Sequence, residues 1–77
     1  MFDWRQYIHS DEAILAGKPV VKGTRISVEL ILELLSDGWT ENMILESYPN
    51  LKPDDLKAFF AYLRDCVRQE LYFPRIR

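Results

Sequence analysis

A chain of 77 residues makes one small domain, and its formal net charge of -2 gives no overall field that would gather nucleic acid. A single cysteine, Cys66, excludes an internal disulfide and implies no oxidising compartment. No apolar run approaches the ~20 residues of a membrane span, and the acidic start MFDWRQYIHSDE lacks a signal-peptide layout, so a soluble, cytoplasmic domain is expected.

The hydrophobic content of 48%, with four Phe, four Tyr and two Trp, suffices for one compact core. It does not suffice for a deep catalytic cleft as well. Residues 4 to 8, WRQYI, mix aromatic and β-branched types and predict a short strand. Residues 10 to 16, SDEAILA, predict one helical turn capped by Ser10 and ending at Gly17. Then comes GKPVVKGTRIS. Gly23 stands where a turn needs a positive φ, Pro19 fixes its own φ, and VV and RIS read as short extended pieces. Residues 1–27 form a strand-and-loop clasp on this reading.

From Val28 the apolar period becomes helical, through Ile31, Leu32, Leu34 and Leu35, with Glu29 and Glu33 on the other side. Ser27 is the N-cap and Asp37-Gly38 the stop. Thr40 caps a second, shorter helix that buries Met43, Ile44 and Tyr48 and ends at Pro49-Asn50. Pro53 opens a third, with Asp54 and Asp55 at its positive end. Leu56, Phe59, Phe60, Leu63, Val67 and Leu71 form its apolar stripe, and Pro74 ends it. Helices are therefore expected over 28–37, 40–47 and 53–71, followed by a tail at 72–77. The expected core includes Leu30, Ile31, Leu34, Leu35, Ile44, Leu56, Phe60 and Leu63. Residues 28–48 have the layout of a helix-turn-helix, which by itself is weak evidence for DNA binding.

Catalysis has little to work with. His9 and Cys66 lie in different elements, no serine sits in a nucleophile elbow, and His9, Asp11 and Glu12 match no established metal spacing. Asp54 and Asp55 read as helix-dipole partners rather than an acid–base pair. No catalytic residue, cofactor or metal is expected, and no enzyme. The loop is no phosphate cradle, because Gly23 is followed by Thr24-Arg25 and not by the lysine of a P-loop. Lys18, Lys22 and Arg25 nevertheless make it locally basic. Two roles compete for it: a folding clasp in which Arg25 pairs with Glu29, and contact with DNA phosphate. On the second helix Thr40 and Asn42 are the base-facing candidates. Glu41 and Glu46 oppose that role by repelling phosphate.

Gly17-Lys18-Pro19 with Val21, then Gly23-Thr24-Arg25-Ile26 and Val28, resembles the signature of the domain-of-unknown-function 433 family. Gly38, Thr40, Tyr48-Pro49 and Leu51 extend the likeness over roughly residues 7 to 65. Lys52 departs from it where the family often caps the last helix with Ser or Thr. Phe59 and Leu63 depart where small residues are usual. The resemblance implies a mainly α fold, a three-helix, homeodomain-like helix-turn-helix bundle with a short N-terminal β element. It implies an antitoxin-like regulator that pairs with a PIN-like ribonuclease toxin, forms a homodimer and binds operator DNA. The alternative is a pure protein-interaction module that neutralises a partner without touching DNA. Surplus aromatics near the ends, Trp4, Tyr7, Tyr72 and Phe73, point to a symmetric dimer built partly from the N-terminal strand. In the tail, Arg75 and Arg77 are candidates for pairing with a nuclease's metal-binding carboxylates, with Tyr72 and Phe73 as anchors.

Overall fold

The computed structural model describes residues 2–71. Three helices carry the fold, and a two-stranded antiparallel sheet lies near the N-terminus. β1 is Ile8–His9 and β2 is Val20–Val21, with Ile8 opposite Val21 and His9 opposite Val20. α1 spans Val28–Ser36, α2 spans Glu41–Ser47 and α3 spans Pro53–Cys66. A π-helical turn, Val67–Leu71, continues α3.

The expected strand over 4–8 is mostly a 3-10 turn, Trp4–Gln6. The cause is Asp3, whose carboxylate accepts the Arg5 N–H at 3.0 Å while its carbonyl accepts from Gln6. A local side-chain acceptor competes with the strand ladder here and wins. Only Ile8 and His9 remain extended. The expected turn over 10–16 also differs. Ser10 caps nothing; Asp11 accepts the Ala13 N–H at 2.9 Å, and the helical turn is shifted to Leu15–Gly17. Its hand is reversed, with φ of 49° at Leu15, 57° at Ala16 and 85° at Gly17. Each non-glycine residue held there costs roughly 1–2 kcal/mol.

The clasp then folds as its glycine dictates. Val21 O accepts Thr24 N–H at 3.1 Å across a turn whose third residue, Gly23, has φ 80°, a backbone conformation that side chains with a Cβ rarely adopt. The Thr24 hydroxyl locks the turn by donating to Val21 O and accepting from Ile26 N–H. Val21 N–H reaches Ile26 O at 3.0 Å, so VV and RIS do pair.

α1 starts at Ser27, whose hydroxyl accepts the Leu30 N–H, and ends in a Schellman closure. Trp39 N–H returns to Leu34 O and Gly38 N–H to Leu35 O, with Gly38 at φ 98°. Thr40 caps α2 by accepting from Met43 N–H at 3.1 Å. α3 has no Ser or Thr cap. Instead the Asp55 carboxylate accepts the Lys52 N–H at 2.9 Å, half of a capping box, and is buried in the process.

The core is Ile8, Val21, Val28, Ile31, Ile44, Leu51, Leu56, Ala58 and Phe59. Each large side chain among them contributes about 1.5–3 kcal/mol by burial. Of the residues expected inside, Ile31, Ile44 and Leu56 are buried, while Leu30, Leu34, Leu35 and Leu63 are half-buried. Phe60 is a correction. It is 43% exposed, and its neighbour Phe59 takes the central place at 0%. The buried positions of α3, Asp55, Leu56, Ala58 and Phe59, share one face of the helix, and Phe60 falls beyond its edge. Met43 is likewise exposed where burial was expected.

Candidate functional site

Most of GKPVVKGTR is occupied with holding the fold. Pro19 O accepts the Val28 N–H at 3.0 Å and so anchors the first turn of α1 to β2. Lys18 donates to Glu29 Oε1 at 2.9 Å, which takes the carboxylate that Arg25 was expected to pair with. Both partners are exposed, so this bridge contributes at most about 1 kcal/mol. What remains is Lys22 and Arg25. Both are exposed, and neither side chain has an ion-pair or hydrogen-bond partner among the described residues.

Lys22 does not face α2. It lines a groove of about 520 Å³ with Gln6, Tyr7, Lys52, Pro53 and Asp54 at the start of α3. The basic turn therefore meets the third helix, with Lys52 adding a cation and Asp54 a carboxylate.

The helix pair has the opposite character. Glu29, Glu33, Asp37, Glu41 and Glu46 are all exposed, and no Lys or Arg interrupts them from residue 28 to 48. Among these carboxylates Leu32 and Met43 each stand 44% exposed. Thr40 and Asn42 lie at the start of α2 beside Glu41, and Thr40 already spends its oxygen on the cap. Lys18 offsets Glu29, and the other four carboxylates have no cation partner among the described residues.

Trp4 closes the far side. Its indole N–H donates to Asp65 Oδ2 at 2.8 Å, and its ring meets Tyr62 edge-on at 4.8 Å. That hydrogen bond is the main reason the Asp65 carboxyl sits below its ordinary pKa. Partial burial opposes the shift, and the Arg64 guanidinium reinforces it. Cys66 is half-buried on α3 and His9 lies on β1. Among the described residues His9 Nε2 is buried without a hydrogen-bond partner. No group of three metal-ligating side chains occurs among the described residues. Tyr72, Phe73, Arg75 and Arg77 lie outside the described residues. Among the described residues no helix is long and apolar enough to cross a membrane.

The family model described as Protein of unknown function (DUF433) matches residues 8–63. The chain belongs to this family. No curated protein and no solved structure matches it. Within the DUF433 signature the structure divides the work. Pro19, Gly23 and Thr24 fold the clasp, Lys18 braces it against α1, and Arg25 is left pointing outward. Sequence reading missed the acidic unit as a site in its own right. Its signal was present in the run of carboxylates without a cation, which spoke against DNA contact and for a protein-interaction module but named no site residue.

Proposed function

We propose that this DUF433 protein is an antitoxin-like interaction module whose acidic α1–α2 unit covers the basic substrate groove of a PIN-like ribonuclease. The observation that carries this reading is the set of exposed carboxylates Glu33, Asp37, Glu41 and Glu46, none with a cation partner among the described residues, together with exposed Leu32 and Met43. A nuclease that holds RNA needs a cation-lined groove for the phosphates. A protein surface rich in carboxylates competes for those cations, and its exposed apolar side chains add burial on contact. The unit needs no catalytic residue for this. The test is a titration of RNA cleavage by a PIN-like nuclease from the same genome. Cleavage should fall to background near one equivalent; undiminished cleavage at tenfold excess overturns the reading.

DNA binding in a homodimeric, homeodomain-like arrangement is the second reading. The observation that favours it is the unpaired Lys22–Arg25 turn. Two copies would double that weak phosphate contact. Fluorescence anisotropy with a duplex from upstream of the protein's own gene tests it. Binding should weaken steeply between 50 and 200 mM salt, on the order of one log unit in slope per phosphate contact. Absence of binding at low salt removes this reading and leaves the first untouched.

A further inference from the structure

The outer strip of α3 alternates cations with an exposed ring. Lys57, Phe60, Ala61 and Arg64 fall at i, i+3, i+4 and i+7, and with Phe2 they line a groove of about 430 Å³. Arg68 follows at i+11, in the π-helical turn. All are exposed except Phe2 and Ala61, which are half-buried. Tyr7 stacks on Phe2 at 5.1 Å, and Lys57 Nζ lies 4.6 Å over the same ring. This cation–π contact holds the Lys57 ammonium at the groove without neutralising it. Neither Lys57 nor Arg68 has a carboxylate partner among the described residues. Arg64 gives its Nε–H to Asp65 at 3.2 Å, which leaves its terminal N–H groups for another acceptor. Phe60 meets the Phe59 ring at 68° and remains 43% exposed.

We propose that this strip binds single-stranded nucleic acid, with a base stacked on Phe60 and backbone phosphates held by Lys57, Arg64 and Arg68. Sequence-tolerant binding of a single strand needs these two things together, cations that track the backbone and a ring for the bases. Lys57 and Arg64 stand about two helical turns apart, and the small Ala61 beside Phe60 leaves the ring open to a planar partner. Charge and ring together select the occupant. A duplex offers phosphates but hides its base faces within the stack. An acidic protein segment meets the cations, but it gains from the ring only the apolar burial that any side chain gives. The strip shares no residue with the α1–α2 unit or with the Lys22–Arg25 turn, so the inference rests on neither functional reading.

The experiment is fluorescence anisotropy of the full chain with a labelled oligouridylate of about 12 nucleotides at low salt. Wild type is compared with Phe60→Leu, Phe60→Tyr, Lys57→Ala/Arg68→Ala and Lys22→Ala/Arg25→Ala, each checked for helicity by circular dichroism. Wild type should bind. Phe60→Leu should bind about tenfold more weakly, and Phe60→Tyr, which keeps a ring, should bind as wild type does. Lys57→Ala/Arg68→Ala should weaken binding and lower the salt slope by about 1.4. Lys22→Ala/Arg25→Ala should leave binding unchanged. Absence of wild-type binding overturns the proposal, and so does full affinity in Phe60→Leu. Equal or tighter binding of a duplex overturns it too, because the ring then reads no base. A loss confined to Lys22→Ala/Arg25→Ala moves the contact to the clasp and overturns it as well. Displacement by polyglutamate as effective as by unlabelled oligouridylate overturns it by assigning the strip to an acidic protein partner.

Discussion

Trp4 and Asp65 are joined by a 2.8 Å hydrogen bond across 61 positions of sequence. The bond fastens the first turn of the chain to the last helix. Because it favours the ionised carboxylate, the Asp65 pKa in the folded protein lies below its unfolded value, near 3.9. A depressed pKa stabilises the fold above the unfolded value. That stabilisation is lost as pH falls through the folded value. Asp65→Asn should therefore lower Tm at pH 7, and the gap to wild type should narrow below about pH 4. Thermal melts at the two pH values measure this. An equal gap at both would mean that the charge of Asp65 does not strengthen the contact.

Ala16 offers a stabilising substitution. It is exposed, with φ 57° and ψ 35°. Glycine accepts that conformation without the Cβ penalty of roughly 1–2 kcal/mol, less the roughly 0.5–1 kcal/mol of extra chain entropy it loses on folding. Ala16→Gly should raise unfolding free energy by about 0.5–1 kcal/mol in a urea titration. A loss of stability would show that the left-handed turn is not held in solution.

Phe59 and Phe60 are adjacent, and their rings meet at 5.1 Å, yet they should respond very differently. Phe59→Ala removes a fully buried ring and should cost about 3–5 kcal/mol. Phe60→Ala on the monomer should cost about 1 kcal/mol or less, because the ring is already 43% exposed. Comparable losses for both, measured by denaturant unfolding, would contradict this core.

Gly38 tests the link between the acidic helices. Its φ of 98° closes α1, and a Cβ there would meet no atom within 4 Å. Gly38→Ala should therefore destabilise by about 1 kcal/mol through backbone strain alone. A neutral result in the same unfolding assay would mean that the closure relaxes without cost.

Much of this was legible in the sequence because local chemistry fixed it. Ser27, Asp37-Gly38, Thr40 and Pro53 mark helix ends within a residue of where they occur. Gly23 marked its turn for the same reason. The first 17 residues were harder, because their conformation depends on contacts made elsewhere. WRQYI has strand composition, but Asp3 turns it and Trp4 is held by a residue 61 positions away. The left-handed turn at Leu15-Ala16 has no residue signal, since neither type favours it. Phe60 was misplaced because a stripe of apolar residues on α3 is wider than the face the core covers. The pairing of Glu29 with Lys18 rather than Arg25 depends on how the clasp folds over α1, which spacing alone does not fix.

The most direct test of the acidic α1–α2 unit is inhibition of RNA cleavage by a PIN-like nuclease, comparing wild type with a Glu33→Lys/Glu46→Lys variant. Both positions are exposed, so the variant should keep its fold. Losing even one close interfacial charge pair worth about 1.5 kcal/mol weakens binding roughly tenfold. The variant should require at least about ten times more protein for half-inhibition. Equal inhibition by wild type and a folded variant would contradict the account, and would place the neutralising surface elsewhere on the molecule.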